Sequence, residues 1–186
     1  MDKNFVFESE RLRFRRWKES DKENFALMNS DSEVMKFFPK KLSKQESDSM
    51  IERFEKHSDE KGYGIWAVER KEDDAFIGFI GLLEINFEVD FQFKTEIGWR
   101  LDKKYWKKGY AVEGAKACLD YAFAELKLNE VYSFTASSNF PSETVMKRIG
   151  MAKVKEFDHP KLAPNSPLRR HVLYKIEKPQ EEAARI

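Results

Sequence analysis

The amino-acid sequence predicts an α/β fold, a mixed sheet with helices packed on it. Three observations point there: short apolar runs bounded by turn residues, amphipathic helical stretches between them, and a composition suited to a core. Of 186 residues, 41% are hydrophobic, with sixteen phenylalanines and four tryptophans, enough for one globular domain.

Taken in order, "RLRFRRW" (11–17) alternates, with Leu12 and Phe14 on one face and arginines on an exposed one, a strand signal. "ESDKENFALMNS" and "LSKQESDSMIERFEKH" read as helices, the second opened by Ser43 as N-cap with Glu46 three residues on. "GIWAVER" and "AFIGFIGLLEI", separated by "KEDD", read as a hairpin, and "FKTEIGWRL" (93–101) as a further strand. Over 111–126, Val112, Ala115, Leu119, Ala122 and Leu126 share one helical face, while Glu113 and Asp120 lie opposite. "EVYSFTA" is a strand, and "PSETVMKRIG" a short helix between Pro141 and Gly150. "RRHVLYKI" closes the sheet. We read a single domain over 1–178 and a frayed tail over 179–186.

Composition narrows the function classes. A net charge of +1 gives no global pull toward nucleic acid or an anionic membrane. A single cysteine, Cys118, excludes an intrachain disulfide and a cysteine zinc cluster. No metal is expected, no window is long and apolar enough to span a membrane, and the first residues do not read as a signal peptide. The expectation is a soluble, cytoplasmic protein.

The most informative stretch is "YWKKGYAVEGAKACLDYAF" (105–123). It places Lys107, Lys108 and Gly109 where a strand turns into a helix. Helix N-termini carry unpaired N–H groups and partial positive charge, and a glycine lets backbone approach a ligand, so the turn can cradle a phosphate. A solvated basic loop is the competing reading. The Walker A pattern fails, because Ala115 stands where its lysine should be, and the three-glycine dinucleotide fingerprint is absent.

Over "EIGWRLDKKYWKKGYAVEGAKACLDYAFAELKLNEV" (96–131) and "SNFPSETVMKRIGM" (138–151), the chain resembles the GNAT acetyltransferases. In particular it resembles the branch named for ribosomal-protein N-terminal acetyltransferases (RimJ/RimL-like). The likeness extends from "ESERLRFRRW" to "RRHVLYKI". It implies the GNAT fold, with a mostly antiparallel central sheet flanked by helices, and acetyl-CoA as co-substrate. The turn 106–111 looks like the family's pyrophosphate loop, with Trp106 in its first position. Carried over, Lys107, Lys108, Gly109, Tyr110 and Ala111 would face the pyrophosphate, and Trp106 counts with them among the cofactor-binding residues. Trp99, Arg100 and Leu101 would pair their backbone with the pantetheine arm, which Asn139 would also meet. The family's frequent tyrosine proton donor is replaced by Met146, and the branch's "NxxS" serine is Ser142.

The chemistry needs a bound thioester, a neutral amine, an N–H aimed at the oxyanion, and a proton for sulfur. A backbone N–H of "IGWRL" would serve the oxyanion if that strand splays from its neighbour. Ser142 is either a proton donor or a local hydrogen-bonding partner in a first helical turn. Glu96 and Glu84 are candidate bases or structural carboxylates, with His159 and His171 as alternatives. Phe37, Phe38 and Trp66 are candidate acceptor-lining aromatics, or core. Cys118 reads as core packing, which favours direct transfer in a ternary complex over an acyl-enzyme. The expected activity is acetyl transfer to a primary amine, a protein N-terminus or a small molecule, by a monomer or homodimer. The alternative is a non-catalytic acyl-CoA-binding or protein-interaction module that keeps the fold.

Overall fold

The computed structural model describes residues 5–85, 87 and 95–180. Its elements run β1 (Phe7–Glu8), β2 (Leu12–Arg15), α1 (Asp21–Ser30), α2 (Lys44–Lys61), β3 (Ile65–Arg70), β4 (Ala75–Glu84) and β5 (Thr95–Leu101). They continue with α3 (Tyr110–Ala124), β6 (Glu130–Ala136), α4 (Phe140–Arg148), β7 (Ala152–Asp158) and β8 (Arg170–Glu177). The strands form one sheet in the order β1-β2-β3-β4-β5-β6-β8-β7, antiparallel at every pairing but β5–β6.

Pairing of β5 is lopsided, and this shapes the molecule. Toward β4 all seven of its residues are in register, from Thr95 opposite Glu84 to Leu101 opposite Gly78. Toward β6 the ladder holds one registered pair, Glu96 with Tyr132. In the gap, the Ser133 hydroxyl donates to the Ile97 carbonyl at 3.0 Å. The two strands therefore part beyond Glu96, and the sheet opens at its centre.

Residues opposite one another in a ladder share a face, so the register sorts the side chains into two layers. One face carries Leu12, Phe14, Trp66, Ile80, Leu82 and Ile97, covered by α3 in the largest core cluster. Gly114 lets α3 approach: a Cβ there would come within 2.4 Å of Ile80 Cδ1. The other face carries Phe79 under α1 and α2, with Phe25, Met28, Ile51 and Phe54. Beyond β5 this face continues in a third cluster of Tyr132, Phe157 and Leu173.

Local signals explain the element ends. Ser43 caps α2 in a capping box with Glu46, and Gly62 ends the helix at φ 77°. Asn139 caps α4, and Gly150 stops it at φ 90°. The hairpin β3–β4 forms as the two apolar runs flanking "KEDD" predict. Two points differ from the sequence reading. β1 and β7 are strands that their weak patterns did not single out: β1 is two residues long, and β7 is largely exposed. The arginine face of β2 is not solvated throughout, because Arg15 is 3% exposed and pairs with Asp21 at 2.7 Å and Glu69 at 2.9 Å. The start of the fifth strand as read, at Phe93 and Lys94, lies outside the described residues, as does 181–186 of the tail.

Candidate active site

The turn between β5 and α3 is built to leave donors free. A short 3-10 segment, Lys103–Tyr105, follows β5, and the Trp106 amide donates back to the Lys103 carbonyl at 3.1 Å. The Trp106 indole N–H donates to the Leu101 carbonyl at 2.8 Å. Trp106 is thus a brace, with both its amide and its indole N–H used within the turn. The chain then turns through positive φ at Lys107 (59°) and Gly109 (84°) into α3. Gly109 is the N-cap and has no side chain to cap with. Among the described residues, the amides over 107–112 donate to no protein acceptor, and the first bond of the helix runs from the Glu113 amide to the Gly109 carbonyl. Lys107, Lys108 and Gly109 are exposed, Tyr110 is buried and Ala111 half-buried. An uncapped helix start carrying free N–H groups and two lysines suits a diphosphate.

A clamp that the sequence did not reveal fixes this turn. The Glu113 carboxylate accepts from the Ser9 hydroxyl at 2.7 Å, the Arg11 amide at 2.7 Å and Arg11 Nε at 2.6 Å. Arg11 Nη1 donates to the Lys108 carbonyl at 3.2 Å, and its guanidinium lies 4.5 Å over the Tyr110 ring. Burial alone would raise the Glu113 carboxyl, but Ser9 and Arg11 together hold it below its usual value. A hundred residues separate the partners, so no local pattern could have announced them.

The parted sheet lies beside this turn. Trp99 and Leu101 stand on the α3 face, while Glu96, Gly98 and Arg100 stand on the α1/α2 face. A Cβ built on Gly98 meets nothing within 4 Å, so the strand's surface there is open. Glu96 is partly buried, and desolvation pushes its carboxyl up to about 8, against an opposing pull from Lys161. Glu84, the other candidate base, is displaced from this position. It pairs opposite Thr95, one residue out of phase with Glu96, and its half-exposed carboxylate is ion-paired with Lys61 at 2.8 Å. That contact satisfies it as a surface carboxylate.

The two candidate histidines meet across 4.9 Å beside Phe134 and Phe157. Burial, with His171 nearby, pushes His159 down to about 4, and burial lowers His171. Near neutral pH both are uncharged and weakly basic, so Glu96 is the stronger base of the set.

Asn139 and Ser142 sit together just past β6. Asn139 Oδ1 accepts from the Ser142 amide at 3.3 Å, and its Nδ2 donates to Thr135 Oγ1 at 2.8 Å. The local capping role of the asparagine is therefore real. The Ser142 hydroxyl makes no hydrogen bond among the described residues. Met146 is 0% exposed in the core. Cys118 is likewise enclosed, and burial pushes its thiol far above the usual range, so it is no nucleophile.

Of the expected acceptor aromatics, Phe38 lies on the open face with the Arg100 guanidinium 3.9 Å over its ring. Phe37 is half-buried next to it, 5.4 Å from Lys36 Nζ. Trp66 does not line this space. It is 2% exposed on the α3 face, edge-on to Phe7 at 5.0 Å and Tyr121 at 5.6 Å, so core packing accounts for it. Among the described residues, no three histidines, cysteines or carboxylates gather as a metal site, and no helix is long and apolar enough to cross a membrane.

Comparison with known proteins agrees with this geometry. Residues 11–152 match the family described as the acetyltransferase (GNAT) domain. The N-acetyltransferase YnaD of Bacillus subtilis, itself uncharacterised, is 30% identical over 146 residues, covering 78% of this chain and 81% of its own. The FsC-acetyl coenzyme A-N(2)-transacetylase of Aspergillus fumigatus is 35% identical over 103 residues, 52% of this chain and 42% of its own. A crystal structure of a GNAT-family acetyltransferase from Bacillus anthracis superposes with a TM-score of 0.76 at 27% identity, covering 91% of this chain and 96% of that one. With the eight-stranded sheet opened between β5 and β6 and the uncapped start of α3 beside the opening, the match over 11–152 places this chain in the GNAT acetyltransferase family.

Proposed function

We propose that the protein transfers the acetyl group of acetyl-CoA to a primary amine by direct attack in a ternary complex. The observation that carries this reading is the run of amides over 107–112 without protein acceptors at the uncapped start of α3. Lys107, Lys108, Gly109, Tyr110 and Ala111 would hold the diphosphate, and the part of β5 that has left β6 would offer backbone from Trp99, Arg100 and Leu101 to the pantetheine arm. Asn139 keeps one N–H and lone-pair capacity for that arm beyond its cap. Acetyl-CoA, when bound, supplies an activated acyl group, and its thiolate is a tolerable leaving group.

The chain's own residues then handle protons and exclude water. Glu96, raised to about 8, is suited to take a proton from the amine at near-neutral pH, directly or through one water. The Ser142 hydroxyl, without a hydrogen-bond partner among the described residues, is available to the sulfur. The "NFPS" segment carrying it supports a place in the RimJ/RimL-like branch.

Two measurements test the reading. Replacing Gly109 (φ 84°) by leucine strains the turn by about 1–2 kcal/mol and sets a side chain in the cradle, where even Cβ lies 3.3 Å from Arg11 Nη2. The acetyl-CoA-dependent rise in melting temperature should disappear in this variant; an unchanged rise refutes the loop assignment. Thiol release from acetyl-CoA with a mixed panel of amines and N-terminal peptides should exceed background hydrolysis for at least one acceptor. Binding without release for the whole panel would count against catalysis.

A further inference from the structure

Among the described residues two arginines are buried in the sheet, and they are treated differently. Arg15 is 3% exposed, with both Asp21 and Glu69 as carboxylate partners within 2.9 Å. Arg100 is 7% exposed and pairs with no carboxylate among the described residues. Its Nη1 donates to the neutral Asn29 Oδ1 at 2.6 Å, and its Nε is fully buried without a hydrogen-bond partner. It lies over two rings, Phe38 at 3.9 Å and Phe79 at 5.3 Å. Asn29 is itself 0% exposed and tied to Ser47 at 3.1 Å, so the fork is held in place. Removing a cation from water without an anion is costly, and proteins seldom leave it so.

The position of this cation gives it a meaning. Arg100 and Gly98 share the α1/α2 face of β5, so their Cα atoms lie about 7 Å apart along the strand. Gly98 marks the open surface, and Glu96 flanks it on the far side. A ligand lying over Gly98 would thus have a carboxylate base at one end and, at the other, a guanidinium with no carboxylate partner among the described residues.

We propose that the acceptor is an amino acid-like compound, a primary amine carrying a carboxylate that seats on Arg100 while the amine lies over Gly98 toward Glu96. This rests on the acetyl-transfer reading above and narrows its substrate class. A guanidinium fork matches a carboxylate in geometry and charge. The same cation repels polyamines, which would bring a second positive charge to this end of the site.

The test compares α- and ω-amino acids with their own carboxamides, and with spermidine, in the thiol-release assay. At least one amino acid should exceed its amide by tenfold or more in kcat/KM, correcting for the amine pKa, and spermidine should be poor. In Arg100→Gln that ratio should fall toward one, with Arg100→Lys retaining part of it. Arg100→Lys also stands in if the glutamine variant fails to fold, as judged by its acetyl-CoA melting shift. Calorimetric titration of the preferred amino acid, or of each in turn, into the CoA complex separates the two layers of the argument. Binding that Arg100→Gln abolishes, without turnover, keeps the anion seat and removes the transfer reading. The proposal is overturned if no amino acid outperforms its amide and none binds, if the ratio is the same in Arg100→Gln, or if spermidine is the best acceptor. In those cases Arg100 is a structural brace only.

Discussion

In the proposed reaction Glu96 is the base, and its titration gives a signature in stability as well as rate. Its carboxyl is raised from 4.5 to about 8 by burial. The folded state therefore holds a proton that the unfolded chain releases, so folding binds a proton between those two values and stability falls as pH rises through that window. Glu96→Gln should remove this slope. The variant's melting temperature, relative to the parent's, should climb as pH goes from about 5 to about 8. In rate, the parent should rise through a limb near pH 8 as the base ionises, and the variant should lose about a hundredfold in kcat with that limb flattened. A melting-temperature gap that stays constant with pH would refute the shifted carboxyl. The sequence offered Glu96 and Glu84 on equal terms, because strand spacing does not report ladder phase. The register separates them, and Lys61 occupies one. Trp66 and Phe38 were likewise indistinguishable as aromatics near strand and loop, and only the pairing shows that they belong to opposite faces.

At the scale of elements, the turn into α3 is stiffened from outside. Arg11, just before β2, neutralises Glu113 in the first turn of the helix and holds the Lys108 carbonyl. Without it the carboxylate would keep the Ser9 hydroxyl and the residue-11 amide but lose its cation, beside the turn proposed to hold a diphosphate. Arg11→Ala should raise KM for acetyl-CoA about tenfold, equivalent to roughly 1.4 kcal/mol, with a smaller effect on kcat. Adding Glu113→Ala should recover part of the loss, because the repelling charge goes with it. Steady-state kinetics of the two single variants and the double one would show this as a non-additive cycle. Equal KM in parent and Arg11→Ala would show the clamp to be irrelevant to the cofactor. Elements with strong local signals were legible: the capping box of α2, the apolar stripe of α3, the "KEDD" hairpin. The two-residue β1 and the solvent-facing β7 lack such a signal, and the clamp joins residues about a hundred positions apart.

The whole molecule organises these parts around one break in a continuous sheet. Apart from β1 and β7, the order of elements was readable from period and punctuation. The break was not, because it is a property of pairing: β5 keeps β4 along its full length and gives up β6 after one registered pair. That parting brings three things into line: the free amides at the start of α3 on one side, the unpaired edge of β5 in the middle, and the Glu96–Gly98–Arg100 surface on the other face. A ligand with a diphosphate at one end and a thioester at the other fits that line.

The most direct test is a crystal structure of the protein with CoA. The account predicts diphosphate oxygens within hydrogen-bonding distance of amides among residues 107–112, and the pantetheine arm running along β5 where it leaves β6, its sulfur nearing Gly98. Diphosphate bound at another surface, or β5 and β6 closed into a continuous ladder with the arm outside, would contradict it.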